Sequence, residues 1–173
     1  GGVLAPNGDI HFIPNIANRG QKISSAGVVS TYSLVHTRTS QGYAGGVLAP
    51  NGDIHFVPTL AAVGQKIDTS GIVSTYSLVY TAASSSPYNG GVLAPNGDIY
   101  FAPITTIGQK ISASGVVSTY SISFSFTNYG GILSPTGDIY FIPFSSSSFG
   151  IKISTLCGFD FKNIALSPFF NKY

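Results

Sequence analysis

The chain has 173 residues, of which only 8% are charged, and its formal net charge is +2. Its acidic residues are all Asp, and Gly, Ser, Thr, Tyr and Phe dominate, a composition typical of strands and turns and unfavourable to helices. Lys and Arg are scattered, which argues against nucleic acid as a partner, and no apolar run approaches the roughly 20 residues of a membrane-spanning helix. The single cysteine, Cys157, cannot form an internal disulfide and is expected to be a buried thiol.

The main organising feature is a repeat that opens with two glycines, at Gly1, Gly45, Gly90 and Gly130. A fixed period of roughly 44 residues is typical of repeat architectures in which each unit is one supersecondary structure. The sequence therefore predicts a single repeat domain of four units, at residues 1–44, 45–89, 90–129 and 130–173.

Each unit begins with a hairpin, because two short strands flank Pro-Asn-Gly, a turn sequence. The fourth unit has the degenerate turn Pro135-Thr136-Gly137. The Asp after each turn lacks a neighbouring carboxylate, so we expect it to accept turn N–H bonds rather than to bind a metal. The predicted structural turn residues are Asn7, Gly8 and Asp9; Asn51, Gly52 and Asp53; Asn96, Gly97 and Asp98; and Gly137 and Asp138.

The rest of each unit predicts two more strands. A proline ends the second strand, at Pro14, Pro58, Pro103 and Pro143, because proline cannot donate to a ladder. Variable loops follow at 15–20, 59–64, 104–108 and 144–149, and they are candidate partner contacts on one rim. A third strand surrounds Lys22, Lys66, Lys110 or Lys152, and a fourth begins at Val28, Ile72 or Val116. Each unit is thus predicted to be a four-stranded antiparallel meander.

The hairpin strands are apolar on both faces, since Ile10 and Phe12 point one way while Val3, His11 and Ile13 point the other. Such a sheet must be covered on both sides. The period, the four strands and the short turns predict an all-β fold of β-propeller type with four tandem blades. Two alternatives stay open: a closed four-bladed ring, or part of a larger ring shared between chains.

The run GGVLAPNGDIYF followed by a Pro and a Gly-bearing hairpin resembles a propeller-type repeat of bacteria and large DNA viruses, distantly similar to kelch and NHL blades. The resemblance covers essentially the whole chain. It implies the fold, and it favours a virion or the extracellular surface as the location.

Two sets of residues are candidate ligand or partner contacts. Tyr43, Tyr88 and Tyr129 each precede a Gly-Gly pair, where an aromatic ring suits stacking on a sugar, although packing between blades is the alternative. The lysines Lys22, Lys66, Lys110 and Lys152 form one ring of charges, which suits an anion site, pairing with the Asp residues, or solubility of an exposed strand.

The sequence contains no recognisable catalytic motif, because Ser or Cys beside His and a carboxylate, HExxH, CxxC and a phosphate loop are all missing. His11 and His55 are replaced by Tyr100 and Tyr140 in the later units, which argues against an essential base. The sequence therefore predicts a protein that is not an enzyme and has no cofactor and no metal.

The predicted function is a structural or binding module for protein assembly, as in a virion or a surface layer, with protein partners or self-association. The alternative is a lectin-like, carbohydrate-binding propeller with one weak site per blade.

Overall fold

The computed structural model describes residues 1–37, 40–81, 87–122, 128–143 and 150–155. Within these ranges the secondary structure consists of fifteen strands in four separate sheets, and no helix occurs. Blade 1 contains β1 (Gly2–Leu4), β2 (Ile10–Phe12), β3 (Arg19–Ile23) and β4 (Val29–Ser33). Blade 2 contains β5 (Tyr43–Leu48), β6 (Ile54–Pro58), β7 (Val63–Ile67) and β8 (Val73–Ser77). Blade 3 contains β9 (Tyr88–Leu93), β10 (Ile99–Pro103), β11 (Ile107–Ile111) and β12 (Val117–Ser121). Blade 4 contains β13 (Asn128–Leu133), β14 (Asp138–Pro143) and β15 (Ile151–Ser154).

Each sheet is an antiparallel meander whose strands are ordered as in the chain, which confirms the predicted all-β blades. The fourth strands begin at Val29, Val73 and Val117, one residue later than predicted, and the fourth strand of the last unit lies outside the described residues. The first strands of blades 2 to 4 begin at Tyr43, Tyr88 and Asn128. The predicted unit boundaries at residues 45, 90 and 130 therefore fall inside a strand.

In blades 1 to 3 the Asn side chain of the first turn accepts the N–H of the Asp that follows the turn, whereas in blade 4 Ser134 Oγ accepts the Asp138 N–H. Gly8 adopts a left-handed conformation, with φ of 86°, and donates its N–H to the Ala5 carbonyl at 3.0 Å. Asn7 Oδ1 accepts the Asp9 N–H at 3.0 Å. Asp9 Oδ1 instead accepts the N–H of Ser25, in the β3–β4 turn, at 3.1 Å. Asp9 therefore accepts a turn N–H, as predicted, but from the β3–β4 turn, so its carboxylate links two turns of the blade.

Successive blades pack face to face. We call the face that carries Leu4, Ile10 and Phe12, or their equivalents, the upstream face, and the opposite one the downstream face. The downstream residues Val3 and Ile13 of blade 1 pack in one core with the upstream residues Ile54 and Phe56 of blade 2. Two equivalent cores join blade 2 to blade 3 and blade 3 to blade 4. Three repeated interfaces therefore hold the four blades together.

The second glycine of each Gly-Gly pair permits this close packing. A Cβ at Gly46 would lie 3.1 Å from Cγ2 of Val3 in the preceding blade, and one at Gly91 would lie 2.6 Å from Cγ2 of Val47. A larger side chain at these positions would force the blades apart.

The four blades form an open arc. Phe12 on the upstream face of blade 1 is 42% exposed, whereas its equivalents Phe56 and Phe101 are 0% exposed. On the downstream face of blade 4, Ile142 is 47% exposed, whereas its equivalent Val57 is 1% exposed. Among the described residues, blade 4 therefore does not cover blade 1, which argues against the closed four-bladed ring.

Candidate functional site

Two equivalent clefts open between adjacent blades, on the side where the Pro-Asn-Gly turns lie. The first cleft, of about 170 Å³, lies between Asp9, His11 and Lys22 of blade 1 and the turn 68–71 of blade 2. The second cleft, of about 230 Å³, lies between Asp53, His55 and Lys66 of blade 2 and the turn 112–115 of blade 3. The repeat thus places an Asp, a His and a Lys in each cleft, opposite a turn of the next blade, and that turn carries Asp68 in the first cleft and Ser112 in the second.

A Lys–Asp ion pair forms one wall of each cleft. Lys22 Nζ lies 3.0 Å from Asp9 Oδ2, and Lys66 Nζ lies 2.6 Å from Asp53 Oδ2. The equivalent pairs in blades 3 and 4 are Lys110–Asp98 at 3.0 Å and Lys152–Asp138 at 3.4 Å. All four predicted lysines are therefore partnered by the Asp of their own blade, and direct contact of these lysines with a ligand or partner stays a prediction.

The ion pairs shift the pKa values of their Asp and Lys side chains. The hydrogen bond from Lys22 and that from the Ser25 amide hold the pKa of Asp9 below its usual value. In blade 3 the hydrogen bond to Asp98 raises the pKa of Lys110. Both shifts favour the charged form of the side chain, as expected for an ion pair.

A buried histidine lies beside the ion pair of each of the two clefts. His11 and His55 are cross-strand neighbours of Lys22 and Lys66, because strand alternation places them on the same downstream face. Their rings pack against tyrosines of the fourth strand, with centroids 5.7 Å apart for His11–Tyr32 and 5.4 Å for His55–Tyr76. In the part of the chain that the structure describes, neither histidine has a hydrogen-bond partner for its Nδ1.

His55 is neutral at pH 7, because burial, with a smaller effect of the Lys66 charge, lowers its pKa from 6.5 to about 4. The unfolded chain therefore binds a proton that the folded chain does not bind between these values, so stability falls as the pH falls. We expect the free energy of unfolding to decrease by about 3 kcal/mol between pH 7 and pH 4 through His55, at roughly 1.4 kcal/mol per pKa unit.

Denaturant unfolding across this pH range tests that expectation, with the His55→Tyr variant as control, because Tyr stands at the equivalent position of blade 3. The variant should show a shallower decline. An imidazole pKa of His55 near 6.5 in an NMR titration would contradict the expectation.

The tyrosines predicted to stack on sugars lie in different environments. Tyr43 is 2% exposed and Tyr88 is 0% exposed, and both pack inside the cores between blades. Their predicted role in ligand contact is corrected, because the sheet pairing of Tyr43 with Pro58 and of Tyr88 with Pro103 turns these rings inward. Tyr129 is 55% exposed, so its role as a contact stays a prediction.

Sequence reasoning missed the clefts because the replacement of His by Tyr in later units was taken to exclude a functional histidine. A signal was present: Asp9-x-His11 and Asp53-x-His55 each precede a Lys by a similar spacing, and strand register brings the three side chains together. The presence of all three residue types in the first two units, and not in the last two, distinguishes blades 1 and 2 as the blades that could share a polar site.

Several solved structures share this architecture. Virginiamycin B lyase from Staphylococcus aureus has a TM-score of 0.72 and 19% sequence identity, with 91% of this chain and 56% of that chain covered. A streptogramin B lyase has a TM-score of 0.71 and 18% identity, with 91% and 55% covered. A candidate gluconolactonase has a TM-score of 0.60 and 14% identity, with 82% and 56% covered. Neither a scan against protein-family models nor a search of curated proteins gives a match.

The blades and these comparisons define a protein of the β-propeller class. The chain spans about half the length of the solved structures that it matches. The predicted propeller fold is confirmed, while the narrower resemblance to a repeat of bacteria and large DNA viruses stays a prediction.

The prediction that the protein is not an enzyme is contradicted by these comparisons, because lyases are built on the same fold. The absence of a short catalytic motif does not exclude an enzyme, since sites on a rigid repeat scaffold are assembled from separate loops and leave no local signature. At 18% to 19% identity the similarity shows the fold alone and assigns no reaction to this chain.

Within the described ranges, no three His, Cys, Asp or Glu side chains are grouped closely enough to hold a metal ion. A search of the same residues finds no helix long and apolar enough to cross a membrane. The variable loop 144–149 and Cys157 lie outside the described residues.

Proposed function

We propose that the chain is a self-assembling arc of propeller blades, and that a second copy completes its ring. One observation carries the proposal: the two open faces of the arc are the two halves of an interface that the chain itself forms three times. An apolar face that internal blades bury is a strong candidate for burial by an equivalent blade.

The exposed side chains at both ends match their buried equivalents in kind. On the upstream face of blade 1, Leu4, Ile10 and Phe12 are 63%, 37% and 42% exposed. The same three residue types recur at each internal interface, as Leu48, Ile54 and Phe56, as Leu93, Ile99 and Phe101, and as Leu133, Ile139 and Phe141. The upstream face of blade 1 thus keeps the composition of an interblade contact.

The downstream face of blade 4 supplies the other half. Ile132, Tyr140 and Ile142 are 62%, 44% and 47% exposed. Ile132 occupies the position in blade 4 that Val3 occupies in blade 1, where Val3 contacts Gly46 of the next blade. The corresponding glycine on a second copy is Gly2, and a Cβ built there would contact only residues of its own blade, so the space is open. Blade 4 of one copy can therefore pack on blade 1 of another by the contacts already used between blades 1 and 2.

Such a contact joins two different surfaces, so it forms a ring when the rotation closes and a filament when it does not. Two four-bladed arcs that contact each other at both ends form an eight-bladed ring, within the usual range of about 4–8 blades. The setting that we propose for such a ring is a repetitive assembly, such as a virion or a surface layer, because repeated rims convert weak contacts into avidity.

Light scattering on the intact chain tests the assembly. We expect a particle of twice the 18.0 kDa chain mass, and we expect Ile142→Glu to yield the single-chain mass, because it places a charge in the apolar contact. The matched control is Val79→Glu, at a side chain that is 61% exposed and lies on neither open face.

Circular dichroism should show unchanged strand content for both variants, since Ile142 is exposed in the single arc. A wild-type particle of 18.0 kDa at concentrations near 100 μM, or equal behaviour of the two variants, would overturn the proposal. A mass that grows with concentration without a limit would show that the interface forms but that two copies do not close.

A further inference from the structure

We infer that the first and second clefts are binding sites for a small neutral polyhydroxy ligand, of the size of a monosaccharide, with one ligand in each cleft. This inference does not depend on the ring, because both clefts are formed within one chain by blades 1 to 3. The proposed ligand sites are the two histidine-containing clefts alone.

The charge of the clefts selects a neutral ligand. The second cleft carries one ammonium and one carboxylate in direct contact, and the histidine beside them is uncharged at neutral pH. The first cleft carries the same ion pair and also Asp68, whose Oδ1 accepts the N–H groups of Ser70 and Ile72 in its own turn. In the second cleft a bound anion or cation would have to compete with the ion pair for its partner and would gain no net charge attraction. A hydroxyl group can instead donate to the carboxylate and accept from the ammonium without breaking the pair.

The histidine supplies an unsatisfied polar atom at the same place. His55 is 7% exposed, and its Nδ1 lacks a hydrogen-bond partner among the described residues. A buried polar atom without a partner is destabilising, and a ligand hydroxyl that reaches this atom through a small opening of the cleft offsets part of that penalty. The hydroxyl of Tyr76, which also lines the second cleft, is likewise buried and without a partner in that part of the chain.

The opposite wall suits the carbon skeleton of a sugar. Ile99 and Ile111 of blade 3 line the second cleft, and the equivalent Ile54 and Ile67 of blade 2 line the first. Volumes of about 230 and 170 Å³ are smaller than the roughly 300–1,000 Å³ of pockets for drug-sized ligands. One apolar wall and one wall of fixed donors and acceptors match a single sugar ring, which has an apolar C–H face and a rim of hydroxyls.

Saturation-transfer NMR with a panel of glucose, galactose, mannose, fucose and N-acetylglucosamine tests the inference. The background is Ile142→Glu, so that the result does not depend on ring formation. We expect at least one sugar to bind, with two sites per chain by titration. His55→Tyr should leave one site, and His11→Tyr combined with His55→Tyr should reduce the signal about tenfold, as loss of roughly 1.4 kcal/mol per site implies.

These changes are structurally conservative, because Tyr100 and Tyr140 occupy the same position in blades 3 and 4. The matched control is His36→Tyr, which also copies the next blade, where Tyr80 stands, and which lines neither cleft. Binding by His36→Tyr should equal that of the background protein.

The inference is overturned if no sugar of the panel binds at about 50 mM. This concentration is roughly ten times the Kd expected for a weak single site, so such a site would be nearly saturated. It is also overturned if the double His→Tyr variant binds as well as the control. Failure of ring formation in light scattering leaves this result unaffected, so the two proposals can fail separately.

Discussion

Replacing Phe101 by Ala is expected to lower the free energy of unfolding by about 3–5 kcal/mol, the cost typical of removing a fully buried aromatic side chain. Phe101 is 0% exposed and lies in the core between blades 2 and 3, in contact with the Tyr88 ring at a centroid distance of 5.6 Å. The truncation leaves a cavity between two sheets that the surrounding backbone cannot fill, because both sheets are held by their own ladders. Urea unfolding followed by Tyr fluorescence measures the change.

Phe12→Ala provides the control that is matched in residue type and in position within the blade. Phe12 is 42% exposed in the single arc, so its truncation should cost far less than that of Phe101 at concentrations where the chain is monomeric. At concentrations where the proposed ring forms, Phe12→Ala should weaken association instead. Equal losses of stability for the two variants in the monomer would contradict the open arc.

Replacing Gln65 by Leu is expected to lower the free energy of unfolding by about 2–3 kcal/mol through lost hydrogen bonds rather than lost volume. Gln65 is 0% exposed, and its Oε1 accepts the backbone N–H groups of Val35 and His36, both at 2.8 Å. These amides belong to the segment that follows the last strand of blade 1. Two hydrogen bonds to a side chain of blade 2 therefore hold this segment in place. Leu keeps the size of the side chain but leaves both amides without this acceptor.

Gln21→Leu is the corresponding control in blade 1. Gln21 occupies the position of Gln65 but is exposed, because no other described blade covers the upstream face of blade 1. Its replacement should change monomer stability by less than about 0.5 kcal/mol, the usual range for surface substitutions. Amide hydrogen exchange would locate the effect, since Gln65→Leu should accelerate exchange at residues 35 and 36 and leave the third blade protected.

The two pairs of variants test how well the repeat sequence predicts the loss of stability that a substitution causes. Phe12 and Phe101, like Gln21 and Gln65, stand in nearly identical local sequences, and local propensity gives them the same strand and the same face. Their expected effects differ only because a neighbouring blade covers one of each pair. The cost of a substitution in this protein is therefore a property of the interface and not of the repeat.

The candidate site likewise depends partly on the local sequence and partly on contact between blades. Alternation along β6 and β7 places His55 and Lys66 on one face, and this part of the cleft follows from the sequence once the register is known. The opposite wall, with Ile99 and Ile111, comes from a different blade, and no local pattern predicts how closely two blades approach. The burial that makes His55 neutral also arises only when the blades stack.

The sequence by itself determined the all-β class, the four units, the Pro-Asn-Gly hairpins and the two apolar faces of each sheet, because turn chemistry and strand alternation act over a few residues. The tertiary structure alone decided that the arc stays open, that Tyr43 and Tyr88 point into cores, and that the lysines pair with Asp. The physical reason is that a blade buries its faces only against other blades, so burial and the electrostatics that depend on it are fixed by the number and spacing of neighbours.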